Sequence, residues 1–293
     1  MKFVEHPLIK PNTIESRLYQ EIIVGRAVAN DLLCVLPTGL GKTPIAVILT
    51  AYRLLKFPDS KILMMAPTKP LTEQHYNFFK KVLNLPEESF ALITGKIKPE
   101  KRKMIYQQAK IIFATPQTIE NDLKEGRISL ENFSLVVFDE AHHSIGNYAY
   151  PFIAKIYLSS GKNPRILALT ASPGGSKEKI MEIMKNLGIK EVEIRTEKDE
   201  DVKPWVKEKM FEWVYVDLPS DFLEIKEHLK LAYKERLEKL KQIGFNKPVS
   251  LITKKDLLEL QKKFSESDEK GYKFFGSSLV SQAIKIEHAL GLL

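Results

Sequence analysis

The stretch DLLCVLPTGLGKTP, residues 31–44, decides the fold of this 293-residue chain. After Asp31 it runs through consecutive apolar residues to Leu36, which is typical of a strand buried on both faces of a parallel sheet. A turn with two glycines follows, and a helical pattern then extends from Thr43 to Lys56. Pro44 falls in the first turn of this helix, where its missing backbone N–H costs little. The stretch therefore predicts a strand, a tight turn and a helix in direct succession.

Further apolar runs of the same kind alternate with amphipathic helical patterns such as Leu71–Leu83 and Lys177–Leu187. They are Lys61–Ala66, Phe90–Ile93, Lys110–Ala114, Ser134–Phe138, Arg165–Leu169 and Val192–Arg195. Together with Asp31–Leu36, this alternation predicts an α/β fold with a doubly wound, mostly parallel sheet. Ligands of such sheets bind at the carboxyl ends of the strands, so the loops that follow the strands are the candidate site.

The alternation ends near a charged segment, Glu197–Pro204, whose composition suits a linker. We predict a first domain over residues 1–203 and a linker over residues 204–219 that contains a strand-like run, Phe211–Val216. An all-helical segment is predicted over residues 220–293.

The predicted all-helical segment contains three candidate helices. In the first, Ser220 or Asp221 is expected to be the cap, and the apolar residues fall on one face. These residues are Ile225, Leu229, Tyr233, Leu237 and Leu240. The second and third helices are predicted over Lys254–Phe264 and Ser278–Leu290. The simplest interpretation of their charged residues is a solvated face; a nucleic-acid-binding surface is the alternative.

The composition limits the classes of protein to consider. A formal net charge of +8 favours polyanionic partners, above all nucleic acid. No run approaches the roughly twenty apolar residues of a membrane span, and the first residues do not resemble a secretory signal. The single cysteine, Cys34, lies in an apolar run and is expected to be a core residue. We therefore expect a cytoplasmic or nucleoid-associated protein that is not secreted and contacts no membrane.

The turn after the first strand has the residue types of a phosphate-binding loop. Its backbone N–H groups and the positive end of the following helix are expected to cradle phosphate oxygens. The loop residues are Thr38, Gly39, Leu40 and Gly41. Lys42 would reach the β- and γ-phosphates, and the Thr43 hydroxyl would coordinate Mg²⁺. ATP and Mg²⁺ are therefore the predicted cofactors. The alternative, a chance Gly-Lys-Thr in a turn, does not explain the strand before it and the helix after it.

Two adjacent carboxylates, Asp139 and Glu140, follow the predicted strand Ser134–Phe138. Such a pair is costly at a strand end unless a cation or a reaction uses its charge. We expect Asp139 to hold Mg²⁺ through water, and Glu140 to orient and deprotonate an attacking water. An ordinary acidic turn is the alternative, and the phosphate loop upstream argues against it.

Three motifs carry a family resemblance. Motifs I, II and III of superfamily 2 helicases resemble three segments of this chain, which occur in the same order and in the same structural context. These segments are Pro37–Thr43, Asp139–His142 and Thr170–Ser172. The resemblance implies a RecA-like domain of the P-loop NTPase class, in which Thr170 and Ser172 are coupled to the ATP site through His142. Within the superfamily the chain is most similar to the archaeal Hef helicase/nuclease, the Fanconi anaemia group M translocase and the RIG-I-like group.

Smaller motifs extend the resemblance to the base and to nucleic acid. Arg17–Gln20 resembles the adenine-reading Q motif, which implies that Gln20 hydrogen-bonds the adenine and that Arg17 packs on it. Segments at 66–71, 94–95 and 114–117 resemble motifs Ia, Ib and Ic, which contact the sugar-phosphate backbone in the family. The candidate nucleic-acid residues are therefore Pro67, Thr68, Lys69, Thr94, Gly95, Thr115 and Pro116.

The resemblance also implies a partner domain. Superfamily 2 motors close their ATP site with arginine fingers from a second RecA-like domain, and motifs IV, V and VI of that domain have no counterpart in this sequence. We therefore expect a fragment that binds ATP–Mg²⁺ weakly, hydrolyses ATP poorly and does not unwind duplexes.

Three functions are compatible with these residues. The first is a DNA helicase or translocase acting on forked, branched or single-stranded DNA in repair. The second is an ATP-gated sensor or clamp for double-stranded RNA. The third is a binding domain that has lost catalysis, against which the intact Lys42, Thr43, Asp139 and Glu140 argue.

Overall fold

The computed structural model describes residues 2–146, 148–172, 176–206, 212–243, 245, 247–248, 252–265 and 270–292. The chain divides into two compact units, Met1–Glu208 and Lys209–Leu293. None of the described helices combines the length and the apolarity of a membrane span.

The first unit is a seven-stranded sheet with helices on both faces. The strands are β1 (Leu32–Val35), β2 (Lys61–Met65), β3 (Phe90–Ile93), β4 (Ile111–Ala114), β5 (Phe133–Phe138), β6 (Ile166–Thr170) and β7 (Glu191–Ile194). The helices are α1 (Leu18–Ala29), α2 (Lys42–Lys56), α3 (Lys69–Val82), α4 (Pro99–Gln108), α5 (Pro116–Lys124), α6 (Ala149–Ser160) and α7 (Lys177–Leu187). Short 3₁₀ turns occur at Glu87–Ser89, Ala141–Ser144 and Lys203–Trp205.

Every strand pair in this sheet is parallel. All seven predicted strands are present, with ends within one residue of the predicted ones. The predicted fold class is therefore confirmed. Continuous apolar runs predicted β1 to β6 well because both faces of the sheet are covered there, whereas the edge strand β7 is partly exposed, with Ile194 44% exposed. Leu32 and Cys34 belong to one buried cluster, whereas Leu33 and Val35 belong to the cluster on the opposite face.

The strand order divides the carboxyl edge of the sheet into two halves. In the order β3-β4-β2-β5-β6-β1-β7, three adjacent strands precede the loops that contain Thr94, Thr115 and Thr68. The next three end at or just before Asp139, the motif at 170–172 and the phosphate loop. The predicted nucleic-acid residues and the predicted nucleotide residues thus lie in neighbouring halves, and the border falls between β2 and β5.

The described residues of the second unit form three helices, α8 (Ser220–Gln242), α9 (Lys254–Ser265) and α10 (Lys270–Leu290). They enclose a small apolar core. Its buried members are Leu237, Leu240, Leu257, Leu260, Phe264, Leu279, Val280 and Ala283.

Several predictions for residues after 203 were wrong. Residues 212–219 form no strand, and Trp213 and Tyr215 are 80% and 91% exposed, because no neighbouring strand pairs with them in the described part of the chain. Phe211 lies outside the described residues. The cap of α8 is Pro219, and neither Ser220 nor Asp221 caps it.

The remaining differences concern the apolar stripe of α8 and the start of α10. Ile225 is 49% exposed, because the buried part of the stripe is confined to the second half of α8, around Leu237 and Leu240. The last helix begins at residue 270 rather than 278, so the glycine at 276 is tolerated inside it. There a Cβ would meet the Phe264 ring, which indicates a close approach of α10 to α9.

Candidate nucleotide-binding and catalytic site

The phosphate loop joins β1 to α2 and depends on two glycines in left-handed conformation. Gly39 has φ +85° and Gly41 has φ +81°, a region that side chains with a Cβ rarely adopt. A Cβ on Gly41 would also lie 2.3 Å from Gln20 Nε2. Lys42, the first residue of α2, donates from Nζ to the Leu36 carbonyl at 3.0 Å. The loop is therefore shaped for backbone contacts, with its lysine held across it.

Two side chains of helix α1 donate hydrogen bonds to backbone carbonyls of the phosphate loop. The Tyr19 hydroxyl donates to the Leu40 carbonyl at 2.7 Å. Gln20 Nε2 donates to the carbonyls of Leu40 and Gly41 at 3.3 and 3.2 Å. Both side chains are buried, with Gln20 only 2% exposed. Because the amide nitrogen of Gln20 contacts the loop, its Oε1 is the atom that would accept from an adenine amino group.

Arg17, predicted to pack on the base, has a protein partner on one face. Its guanidinium lies 4.5 Å from the centroid of the Trp205 ring, a cation–π contact. Nη1 donates to the Tyr19 hydroxyl, and Nη2 pairs with Glu15, both at 3.2 Å. The Arg17 side chain remains 24% exposed, so part of it is accessible to a ligand.

Asp139 is fixed at three points at the end of β5. Its backbone N–H donates to the Met65 carbonyl at 2.9 Å, and its own carbonyl accepts from the Tyr150 hydroxyl at 2.7 Å. Burial raises the pKa of Tyr150 well above its ordinary value, so this phenol remains a donor at physiological pH. The Asp139 carboxylate contacts His75 Nε2 through Oδ2 at 2.7 Å. With 5% exposure, Asp139 is a buried and oriented carboxylate.

Glu140 adopts a backbone conformation unusual for glutamate. Its φ and ψ are 49° and 52°, the left-handed region, which costs a residue with a Cβ about 1–2 kcal/mol. Strain of this kind is often found at functional sites. The side chain is 29% exposed, in contrast to Asp139. Two adjacent carboxylates therefore have different environments, one buried and one accessible to water.

His142 lies between Glu140 and the next strand end. Its Nδ1 is 3.3 Å from Glu140 Oε2 and 3.2 Å from Thr170 Oγ1. This places the predicted coupling residues His142 and Thr170 in direct contact, whereas Ser172 is exposed. His143 stacks on Tyr148, with centroids 5.2 Å apart, and burial lowers its pKa.

The residues at this edge fit a nucleotide with Mg²⁺. The Thr43 hydroxyl and the Asp139 carboxylate are hard oxygen donors, and Mg²⁺ commonly takes one or two protein ligands and keeps several waters. The left-handed glycines leave backbone space that a Cβ on Gly41 would fill. This donor set and this cradle are the observations on which the fit rests.

The predicted nucleic-acid residues begin helices or follow strands in the other half of the edge. Thr68 caps α3 and accepts from Leu71 N at 3.5 Å. Thr115 precedes α5, and its hydroxyl lies 3.0 Å from that of Thr118. Gly95 follows β3. Helix N-termini present N–H groups that suit phosphate oxygens. The remaining candidates, Pro67, Lys69, Thr94 and Pro116, adjoin these three positions.

Four contacting residues were missed in the sequence. Tyr19 lies inside the quoted Q-like motif, and its position beside Gln20 was the only available signal. His75, Tyr150 and Trp205 belong to no motif, and each reaches the site from a different part of the chain.

Comparison with known proteins gives consistent matches. A family model described as DEAD/DEAH box helicase matches residues 15–180. A protein of Methanocaldococcus jannaschii, whose name assigns it provisionally to the ATP-dependent RNA helicases, is 48% identical over 292 residues. The ATP-dependent DNA helicase fml1 of Schizosaccharomyces pombe is 39% identical over 232 residues. Among solved structures, the Pyrococcus furiosus Hef helicase domain matches with a TM-score of 0.70 and 44% sequence identity.

These matches cover most of this chain but only part of the relatives. The Methanocaldococcus jannaschii protein, fml1 and the Hef helicase domain match over 99%, 79% and 98% of this chain, respectively. The chain spans 37% and 28% of the two curated relatives and 61% of the Hef helicase domain chain. The family match includes all the predicted site residues, from Arg17 to Ser172.

Proposed function

The chain belongs to the DEAD/DEAH box helicase family, and from that premise we propose that it is the ATP-binding motor domain of a superfamily 2 helicase or translocase acting on forked or branched DNA in repair. One observation carries the proposal. The glycine loop after β1 and the carboxylates after β5 lie at the same edge of the sheet, separated by β6 alone. Two strand spacings amount to about 10 Å, within the reach of one nucleotide with its Mg²⁺.

In this proposal Lys42 and the loop bind the phosphates. The Lys42 ammonium now donates to the Leu36 carbonyl, and a terminal phosphate oxygen would take the place of that acceptor. Gln20 and Tyr19 keep the loop in its binding conformation from behind, because both donate to its carbonyls. Gln20 Oε1 and the exposed part of Arg17 would contact the base.

The carboxylates divide the remaining work. Thr43 and Asp139 would hold Mg²⁺, which when bound neutralises phosphate charge. Glu140 would orient the attacking water and accept its proton, a role that suits the more exposed carboxylate of the pair. Through His142, whose Nδ1 contacts both Glu140 and Thr170, a change at the nucleotide would reach the strand end that precedes Ser172.

The second half of the sheet edge would bind the sugar-phosphate backbone. Thr68, Thr94 and Thr115 offer hydroxyl groups, and the helices that begin after Thr68 and Thr115 add N-terminal N–H groups. Such contacts carry no base-specific information. The net charge of +8 favours a polyanion. DNA is proposed as the polyanion because the relative fml1 is named a DNA helicase. A second RecA-like domain is the proposed partner that completes the ATP site, so hydrolysis by these residues alone should be slow, by a factor of about 10³–10⁵.

Double-stranded RNA is the second candidate ligand. The observation in its favour is the name of the Methanocaldococcus jannaschii relative, which assigns that protein to the RNA helicases. An ATP-gated clamp on RNA would use the same nucleotide site, so the nucleic acid has to be tested directly.

Nucleotide binding and hydrolysis test the ATP site. We expect Lys42→Ala to weaken binding of fluorescent ADP by about tenfold or more, because a charge-assisted phosphate contact of 1.5–3 kcal/mol is lost. Glu140→Gln should bind the same nucleotide as the unchanged chain does, while its slow ATP hydrolysis falls to background. If both variants bind and hydrolyse like the unchanged chain, the assignment of this site is wrong.

Fluorescence anisotropy with labelled forked DNA, single-stranded DNA and double-stranded RNA of equal length tests the ligand. We expect the two DNA ligands to bind more tightly than the RNA, with affinity that falls as salt rises. Tighter binding of the RNA would replace the DNA proposal with the clamp. No binding of any of them, by a chain that still binds nucleotide, would exclude both.

A further inference from the structure

His75 contacts the buried carboxylate of Asp139, although His75 belongs to none of the sequence motifs. The residue lies on α3, and its Nε2 is 2.7 Å from Asp139 Oδ2. His75 is 6% exposed and Asp139 is 5% exposed, so water does not replace this contact. Within the described part of the chain, no other side chain donates a hydrogen bond to the Asp139 carboxylate.

The hydrogen bonding of the ring assigns its tautomer. His75 Nδ1 is buried and has no hydrogen-bond partner among the described residues. An N–H at that position would be an unpaired buried donor, which costs about 1–3 kcal/mol. The proton therefore belongs on Nε2, where a carboxylate oxygen accepts it. The imidazole thus directs its Nε2–H at Asp139 Oδ2.

The position of α3 explains how this contact arises. The helix follows β2, and β2 pairs with β5, which ends at Asp139. Thr68, a predicted nucleic-acid residue, caps α3. His75 lies seven residues further on, about two turns and therefore on the same face of the helix. The contact between His75 and Asp139 crosses the border between the nucleic-acid half and the nucleotide half of the sheet edge.

We propose that His75 is a positioning residue for the Mg²⁺ site: it fixes the rotation of the Asp139 carboxylate so that Oδ1 faces the metal and the water through which Asp139 would hold it. The inference rests on the proposed function, because it requires Asp139 to hold Mg²⁺. Mg²⁺ demands near-octahedral geometry, so a carboxylate free to rotate binds it less well. Loss of a group that orients a metal ligand typically lowers metal affinity by about 10- to 100-fold.

The test measures Mg²⁺ binding rather than turnover. Affinity for fluorescent ADP is determined in EDTA and across a Mg²⁺ series, and the midpoint of the Mg²⁺-dependent gain gives the apparent metal affinity. We expect His75→Leu to shift this midpoint upward by about 10- to 100-fold. His75→Gln should restore it, because its amide nitrogen can occupy the place of Nε2. Asn77→Leu, an exposed position on the same helix, is the matched control and should leave the midpoint unchanged.

Asp139→Asn separates failure of this inference from failure of the proposed function. If His75→Leu keeps the midpoint of the unchanged chain while Asp139→Asn loses the Mg²⁺-dependent gain, His75 does not position the carboxylate. If Asp139→Asn also keeps the gain, the metal role of Asp139 is wrong and the proposed site falls with it. Should His75→Leu not fold, His75→Gln is compared with His75→Asn, whose shorter amide cannot reach Oδ2. Equal midpoints in those two variants would overturn the inference.

Discussion

Replacement of Arg102 should destabilise the first unit more than replacement of any single surface charge. Asp122 on α5 is completely buried, and it accepts from Arg102 Nε at 2.8 Å and Nη2 at 2.7 Å. Arg102 Nη1 also donates to the Ile97 carbonyl at 3.0 Å. The Asp122 hydrogen bonds raise the pKa of Arg102. Arg102→Met would remove all these donors and leave the carboxylate in place.

The magnitude follows from what would remain around Asp122. Removing one partner of a buried ion pair typically costs about 3–5 kcal/mol. The Tyr106 hydroxyl would still donate at 2.6 Å, and Arg127 Nε lies 3.3 Å away without hydrogen-bond geometry. We therefore expect the lower end, about 3 kcal/mol. For a unit of this size that loss corresponds to about 6–12 °C in melting temperature.

Calorimetric melting of the full chain tests this estimate. Adding Asp122→Asn to Arg102→Met should recover part of the loss, because the amide keeps an acceptor for Tyr106 without a buried charge. Lys162→Met, from an exposed pair with Glu131, is the control and should change stability by no more than about 0.5 kcal/mol. A loss below about 1 kcal/mol for Arg102→Met would refute the dependence of the Asp122 charge on Arg102.

Three further predictions concern the phosphate loop, the base side of the site and the amino-terminal segment. Gly41→Ala should lower both the melting temperature and the affinity for nucleotide, because the new Cβ would clash with Gln20. Gly126→Ala is the control: Gly126 also has a positive φ, but no atom lies where its Cβ would be, so only the melting temperature should fall. Trp205→Ala should weaken binding of fluorescent ADP by about 2- to 5-fold, because the cation–π contact with Arg17 is lost, whereas Trp205→Phe should retain most of the affinity. If Trp205→Ala binds as tightly as the unchanged chain, Arg17 does not contribute to the base site. Burial lowers the pKa of His6 below 6.5, and His6 Nδ1 accepts from Leu8 N, so the unfolded chain takes up the proton first. Stability should therefore fall as the pH drops below about 6.5, and His6→Asn should flatten this slope of melting temperature against pH.

The sequence predicted the sheet well because local composition was sufficient there. A parallel strand covered on both faces is mostly apolar, so a run such as Lys61–Ala66 can be recognised as a strand from its composition alone. The segment 212–216 has the same β-branched and aromatic character, yet it forms no strand. A strand forms only where a neighbouring strand can pair with it, and the local sequence does not reveal whether such a neighbour exists. The same limit applies to α8, where Ile225 continues an apolar stripe beyond the buried core.

A candidate site could be proposed from the sequence where the spacing within a motif carries the chemistry. The phosphate loop and the pair Asp139 and Glu140 are contiguous, so their residue types alone indicate nucleotide and metal. The left-handed backbone of Glu140 had no signal in the sequence, since glutamate seldom adopts it. The contact of His75 with Asp139 joins residues 64 positions apart, and only the pairing of β2 with β5 brings them together.

The location of Cys34 makes the protein convenient for site-specific labelling. It is the single cysteine of the sequence, it lies fully buried in β1, and burial raises the pKa of its thiol to about 12. Because the thiolate is the species that reacts, maleimide dyes should not modify the native chain at neutral pH. Cysteines introduced by Glu125→Cys in the first unit and Glu235→Cys in the second would therefore be the sole attachment points. Energy transfer between dyes at these positions would follow the separation of the two units as nucleotide and nucleic acid are added, without replacement of the natural cysteine.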